Sequence, residues 1–181
     1  DGRGSWKYGS WKYEGEVDDK GRPNGIGTLY GVEGKIYEGI WKNGAMYGVA
    51  KVYKMKDGVK ELIYEGEIDR GVPNGEGTRY SNGRELKGNW KNGTMHGATK
   101  MFEMKDGVKV LKYDGEIMDA GEVIPHGEGI YYINERARYE GSQHLGSFQG
   151  KGKYIEDNIL RYEGQWKNNV PHGMGKKYWK K

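Results

Sequence analysis

The phrase YEGIWKNGAMYG at Tyr37 returns as LKGNWKNGTMHG at Leu86 and as YEGQWKNNVPHG at Tyr162. With looser copies, the lead position falls on Tyr13, Tyr37, Tyr64, Leu86, Tyr113, Tyr139 and Tyr162. The intervals are 24, 27, 22, 27, 26 and 23 residues. Periods of this size build stacked arrays, in which each unit buries its surface against its neighbours. The whole chain, 1–181, therefore reads as a single array with units starting near 13, 37, 64, 86, 113, 139 and 162.

A second period lies over the first. YEGEVDDKGRPNGIGTLY at Tyr13 matches YEGEIDRGVPNGEGTRY at Tyr64, and WKNGAMYGVAKVYKMKDGVK at Trp41 matches WKNGTMHGATKMFEMKDGVK at Trp90. Units of two kinds alternate, and charge alternates with them. Residues 64–85 hold three basic and five acidic side chains, net −2. Residues 86–112 hold six and two, net +4, and residues 113–138 hold two and six, net −4. A continuous basic stripe, the footprint of nucleic-acid binding, is missing, so no nucleic acid is expected as a partner.

Within a unit the pattern has period two. In YEGIW, Tyr37, Gly39 and Trp41 share one face, and Glu38 and Ile40 the other, which is the alternation of a strand. Asn43–Gly44 is a hairpin signal, because both residues accept the positive φ of a type I′ turn. Asp57–Gly58 turns the chain back again. Seven such units predict roughly fourteen antiparallel strands. No stretch has a helical period, so nothing is left over to cover a second face. The expected fold is all-β: an elongated single-layer antiparallel meander of about seven hairpins, twisted into a trough or rod.

Composition explains how such a sheet could hold together. The chain has 33 Gly but also 15 Tyr and 6 Trp. A strand glycine costs about 0.5–1 kcal/mol relative to Ala, and it leaves a hole in the pleated surface. An aromatic ring can lie over that hole. Gly39 and Gly48 are expected as floors, with Tyr37, Trp41 and their counterparts as lids. Each aromatic pair adds about 0.5–1.5 kcal/mol beyond its buried area.

These phrases resemble the MORN repeat, whose core reads roughly YEGEWKNGKRHGYG. The resemblance rests on YEGEVDDKGRPNGIG, YEGIWKNGAMYGVA, YEGEIDRGVPNGEG, LKGNWKNGTMHGAT, YDGEI…PHGEG and YEGQWKNNVPHGMG, and it spans about residues 13–179. Val17, Ile68 and Ile117 stand in the tryptophan position of one unit type, and Ala50 and Thr99 replace the second glycine of GxG in the other. YEGSQHLGSFQGKGKY at Tyr139 puts Gln143 in the tryptophan position and lacks an Asn-Gly turn, so a kink, bulge or irregular hairpin is expected there. The resemblance implies an elongated hairpin scaffold that binds partner peptides along a groove, with extended homodimers and phospholipid binding also attached to the family. YEGEVDDKGRPNGIG also looks like the first repeats of a MORN-bearing histone lysine methyltransferase.

A search for chemistry finds little. With no cysteine there is no thiolate site and no disulfide, which fits a reducing compartment. His96, His126 and His172 share one position that Asn24, Asn74 and Tyr47 fill elsewhere, so they read as turn or strand-entry residues. Equivalent positions lie two strands apart, about 10 Å, too far for shared bonds of about 2 Å to zinc. Glu14/Glu16, Glu65/Glu67 and Asp114/Glu116 sit at i, i+2 and could mimic acid–base pairs. They recur along the array, so they read as a solvated or inter-unit pairing face. GIGTLYG at Gly25 and GMGKK at Gly173 lack the following helix that a phosphate cradle needs. GKKYWKK at the C-terminus reads as an edge strand guarded by lysines, with an anionic-lipid contact as the other reading. The chain opens on Asp1 rather than Met, as expected of a processed or trimmed chain.

The expectation is a non-enzymatic scaffold without cofactor or metal, cytoplasmic and membrane- or cytoskeleton-associated. A protein partner, either a peptide or a helix, would lie on an aromatic-lined groove. Its anchors would be Tyr37, Trp41, Tyr64, Trp90, Tyr113, Tyr139, Tyr162 and Trp166, with Lys42, Lys91 and Lys167 as a charged rim and some rings consumed by internal packing. Opposed charge bands would also suit a homodimer. The alternatives are an anionic phospholipid module, and the non-catalytic N-terminal part of a larger enzyme such as a SET-domain lysine methyltransferase.

Overall fold

Turn chemistry sets the strand boundaries. A computed structural model describes residues 2–179. Two-residue turns with both φ positive close hairpin after hairpin: Asn43–Gly44 (51°, 84°), Asp57–Gly58 (49°, 77°), Asn92–Gly93 (51°, 82°) and Asp106–Gly107 (51°, 77°). These are the values a type I′ turn requires, and they are accessible to Asn, Asp and Gly at low cost. Between the turns run β1 (Arg3–Tyr8), β2 (Trp11–Val17), β3 (Pro23–Tyr30), β4 (Lys35–Lys42), β5 (Ala45–Lys56) and β6 (Val59–Asp69). They are followed by β7 (Val72–Ser81), β8 (Arg84–Lys91), β9 (Thr94–Lys105), β10 (Val108–Asp119) and β11 (Val123–Tyr132). The last are β12 (Ala137–His144), β13 (Ser147–Glu156), β14 (Ile159–Lys167) and β15 (Val170–Lys177).

The strands follow one another in chain order as an antiparallel meander, so the all-β meander read from the sequence holds. Among the described residues there are fifteen strands, against the roughly fourteen expected. The extra strand is β1, which precedes the first lead tyrosine and pairs with β2 from Arg3↔Glu16 to Tyr8↔Trp11. By internal packing the chain divides into two compact bodies, one of Asp1–Asn82 with Asn89–Thr94 and the other of Gly83–Gly88 with Met95–Lys181.

Tyrosines roof glycines in both bodies. In the first body Gly15 pairs with Gly27, and Gly66 with Gly77, across neighbouring strands. The ring of Tyr13 covers the first pair and that of Tyr64 the second: a methyl group on Gly27 would fall 2.1 Å from the Tyr13 hydroxyl oxygen, and one on Gly77 2.3 Å from that of Tyr64. In the second body Tyr113, Tyr139 and Tyr162 cover Gly115/Gly129, Gly141/Gly152 and Gly164/Gly175 in the same way. Each hydroxyl then donates to the backbone carbonyl three residues on. The acceptors are Glu16, Glu67, Glu116, Ser142 and Gln165, at 2.6–2.8 Å. The ring is held at both ends, by packing and by a satisfied polar tip.

Tryptophans complete the roof. Trp41 stands edge-on to Tyr13 with centroids 5.4 Å apart, and Trp90 to Tyr64 at 5.3 Å. Their indole N–H groups donate to the carbonyls of Gly27 (3.1 Å) and Gly77 (3.3 Å). The glycine-and-ring principle thus holds, but the assignment of floors and lids needs correcting. Gly39 faces Ala50 Cβ and the Met46 sulfur, not a ring. Gly48 has φ +75° with nothing within 4 Å of an added methyl. It sits where the β4–β5 register shifts between Glu38 and Ile40, and so serves a bulge.

The unit at Tyr139 is an irregular hairpin, within the range expected: β12 pairs with β13 with a register shift between Gly141 and Gln143. Leu145 takes φ 49° before Gly146, so the turn forms without Asn-Gly. Phe148 stacks on Tyr139 at 3.9 Å and 4°, and Trp166 meets Tyr139 edge-on at 5.1 Å. Gln143, in the tryptophan position, is buried, and neither its amide nitrogen nor its oxygen finds a hydrogen-bond partner.

Two outcomes follow. A buried amide left unpaired costs about 1–3 kcal/mol. Gln143→Met keeps the volume and removes the polar atoms, so it is expected to raise unfolding free energy by about 2 kcal/mol in urea titration. Desolvation, helped by Glu67, pushes the Tyr64 hydroxyl up to about 12, and desolvation with Glu128 does the same for Tyr139. A raised pKa means the protonated phenol is favoured in the fold. That stability is intact below the ordinary phenol pKa of about 10 and is lost as pH climbs from 10 to 12. Tyrosinate absorbance should lag that of free tyrosine, and loss of strand circular dichroism should coincide with its late phase.

Candidate functional site

Because the rings pack on their own sheet, few of them reach solvent. Trp41, Tyr64, Trp90, Tyr113, Tyr139, Tyr162 and Trp166 are all buried, whereas Tyr37 is half-buried and Lys42, Lys91 and Lys167 are exposed at the turn margins. The expected anchors are therefore brought together mainly as internal packing, with the lysines on the outside. Trp166 meets the rings of Tyr139, Tyr162 and Phe148.

The opposite face carries the charge. The paired acids divide their labour. Glu16, Glu67 and Glu116 accept backbone N–H groups of Ile26, Glu76 and Glu128 across the strand gap, at 2.5–3.0 Å. Each thereby satisfies a donor beside the positive-φ glycine of a GxG, Gly25 (105°), Gly75 (109°) or Gly127 (97°). Their neighbours pair with lysines on the same or an adjacent strand: Glu14 with Lys12 (2.5 Å), Glu65 with Lys51 (3.6 Å) and Asp114 with Lys100 (3.6 Å). These pairs belong to the sheet's own bonding, as the recurrence of the acids implied.

The position before GxG also acquires a role. Its side chain accepts the first N–H of the next hairpin's turn: Asn24 from Asn43 (3.4 Å), Asn74 from Asn92 (3.3 Å), His126 Nδ1 from Leu145 (3.4 Å) and Gln149 from Asn168 (3.3 Å). The carbonyl of the preceding proline takes the second N–H, with Pro23 to Gly44, Pro73 to Gly93 and Pro125 to Gly146, each at 2.9 Å. Turns are thus stitched to their neighbours along one margin. Comparison of like positions missed His144, whose ring lies 4.8 Å from that of His126. Among the described residues, no three His, Cys, Asp or Glu side chains come together as a metal site.

Sequence reasoning also missed an apolar row on the charged face. Ile26 (69% exposed) lies beside Ile40 (55%), which pairs with Tyr47, and Val49 (64%) lies two residues further along β5. The signal was present in the repeat, because the matching positions in the following units are Glu76, Asn89, His96 and Ala98.

At the C-terminal end, β15 is exposed throughout, as are Tyr178 and Trp179. Lys180 and Lys181 of the basic tail lie outside the described residues. Among the described residues no helix is long and apolar enough to cross a membrane.

No curated protein matches the chain. The family model for the MORN repeat matches residues 37–50, 64–83, 87–98 and 162–181. Those segments coincide with β4–β5, β6–β7, β8–β9 and β14–β15, each a hairpin of the meander. MORN repeats typically form a non-catalytic scaffold that commonly binds protein or lipid. By these four matches and by the hairpins that carry them, the chain carries MORN repeats.

Proposed function

We propose that this chain is a non-enzymatic scaffold that holds a protein partner against its sheet. The supporting observation is the separation of roles between faces. The ring-and-glycine face keeps one frame, a tyrosine over a glycine pair, at Tyr13, Tyr64, Tyr113, Tyr139 and Tyr162. The opposite face changes from unit to unit at fixed backbone positions: Ile26, Glu76, Glu128, Lys151 and Met174 all occupy the middle of GxG. A constant frame bearing a variable surface is the form of a recognition surface, in which a few desolvated contacts give affinity and charge gives register. The buried rings, Trp41, Trp90 and Trp166 among them, fix the frame. Tyr37 and the exposed Lys42, Lys91 and Lys167 are the members of the expected groove still open to a partner. A homodimer and a cytoplasmic, membrane- or cytoskeleton-associated setting belong to the same proposal.

A second reading, binding to anionic phospholipid, has its own support. The two long hairpins end in the same hexapeptide, MKDGVK. Both tips expose methionine and valine, Met55 and Val59 on one and Met104 and Val108 on the other. Lys54, Lys56 and Lys60 flank the first tip, and Lys105 and Lys109 the second.

Lysine-directed cross-linking of the chain to captured partners, read by mass spectrometry, separates the two. A protein partner cross-linked through Lys42, Lys91 or Lys167 is the expected result. Sedimentation with anionic vesicles at low salt, combined with no cross-linked protein, would instead favour the lipid reading.

A further inference from the structure

The row Ile26–Ile40–Val49, with Tyr47 beside it, brings three exposed aliphatic side chains together on adjacent strands. It lies wholly within the first body, on adjacent strands β3, β4 and β5. Contiguous apolar surface with a polar rim marks an interaction site more often than scattered single residues do. Internal packing does not require it. The tyrosines and tryptophans cover the other side, and the sister unit forms the same hairpins with Glu76, Asn89 and Ala98 at the matching positions.

The rim defines the chemistry of what would sit there. Glu16 and Glu67 lie on the flanking strands β2 and β6, with their carboxylates bound to backbone N–H groups and carrying no basic partner in that bond. Glu14, Glu38 and Glu65 line the next row along the strands, where register places Glu14 beside Thr28, Thr28 beside Glu38, Glu38 beside Lys51, and Lys51 beside Glu65. Asp69 pairs in register with Tyr47 on the far side. Seven carboxylates, with Glu76 the seventh, surround the row. The cations near it are Lys12, Lys51 and Lys60, bound to Glu14, Glu65 and Glu38, Arg70, bound to Asp69, and Lys42, exposed two residues beyond Ile40 on the same face. The patch is apolar at the centre, and its margin carries more carboxylates than cations.

Its dimensions accommodate the ridge of a helix. Three strands at about 4.8 Å spacing put roughly 10 Å between Ile26 and Val49. An α-helix advances about 10 Å between residues i and i+7, so an i, i+3 or i+4, i+7 ridge spans the row. We propose that the β3–β5 face is a docking site for an amphipathic helical segment of a protein partner, with an aliphatic ridge flanked by Lys or Arg. This inference rests on the scaffold reading and assigns it a surface and a partner chemistry. Apolar burial along the ridge supplies affinity, and the carboxylate rim selects against acidic segments.

The test uses the full chain, labelled with 15N, and two synthetic helical peptides with the same leucine ridge, one flanked by lysines and the other by glutamates. The lysine peptide should shift the amides of Ile26, Ile40, Tyr47 and Val49. Its affinity should fall at least tenfold in the glutamate peptide, and it should weaken as salt rises. Ile40→Asn with Val49→Ala copies residues that the sister unit already accommodates, so the variant should fold with an unchanged circular dichroism spectrum and lose at least tenfold in affinity. Ile26→Lys, which places a like charge in the row, should abolish binding independently. Shifts mapping elsewhere, equal binding of both peptides, or folded variants that bind as well as the parent overturn the proposal. So does a dimer of the parent chain, or its vesicle binding, that Ile40→Asn/Val49→Ala abolishes. A cross-linked partner unaffected by these variants removes this surface and leaves the scaffold reading standing; capture of vesicles and no protein removes the scaffold reading itself.

Discussion

The structure depends on a phenol lying flat over two glycines. A sheet with no helix against it must supply its own cover, and a tyrosine does so only where two neighbouring strands present bare backbone beneath it. The clearance is small: a methyl group at Gly129, Gly152 or Gly175 would stand 2.3–2.4 Å from a tyrosine hydroxyl oxygen. The hydroxyl then reaches past the glycine pair to a carbonyl three residues on, so the ring's polar end is satisfied without water. One residue type thereby packs, covers and hydrogen-bonds. This explains how a chain so rich in glycine and so poor in aliphatics can still hold a single regular backbone. Interactions of this kind are local, each confined to two or three strands, which is the energetic pattern of a repeat array.

The double period of about 50 residues follows from a division between two hairpin types. One type provides the tyrosine and its glycine pair, as at Tyr13 and Tyr64. The other, at Tyr37 and Leu86, has no ring over its glycine. There Gly39 meets Ala50 and Met46, and Gly88 meets Thr99 and Met95, so a methionine and a small side chain fill the space instead. What this second type contributes is its tryptophan, which stands against the preceding tyrosine and donates to the preceding glycine carbonyl. The two halves of the long period are therefore complementary parts of one roof. After Tyr113 the alternation stops. Tyr139 and Tyr162 both belong to the first type, and the tryptophan that would follow Tyr113 is replaced by Gln143. Trp166 stands edge-on to Tyr139 as Trp41 does to Tyr13, and Phe148 stacks on the same tyrosine.

Much of this was legible in residue order, because turn dipeptides and period-two alternation act over a few residues. Asn43–Gly44 and Asp57–Gly58 set their own backbone angles, and the hairpins follow. What was not legible depends on register between strands. Gly48 has the same parity signal as a floor glycine, but the shift between Glu38 and Ile40 turns it into a bulge residue. Leu145 carries none of the usual turn chemistry. Its φ of 49° is imposed by the stitching on either side, where Pro125 and His126 accept the N–H groups of Gly146 and Leu145. β1 lacks the lead phrase, and it joins through its ladder with β2 and the stacking of Trp6 on Tyr13, at 5.8 Å. For the candidate site, the aromatic phrase marked the residues that build the frame. The exposed Ile26, Ile40 and Val49 looked like ordinary strand aliphatics until it was known which face was already filled.

That asymmetry between faces has a mechanical consequence. On the ring side, the roofed glycines are held by contacts that a single methyl group would break, so residue choices there are few. On the other side, the backbone needs only the carboxylate of Glu16, Glu67 or Glu116 to satisfy the bulge N–H; the neighbouring side chains stand in solvent. Their identity can change without disturbing strand register, as the substitution of Ile26, Glu76, Glu128, Lys151 and Met174 at one geometric position demonstrates within this single chain. Stability and recognition are thus carried by opposite surfaces of the same strands. Either can be altered by mutation while the other is held constant, because the two sets of side chains alternate along each strand and never compete for the same space.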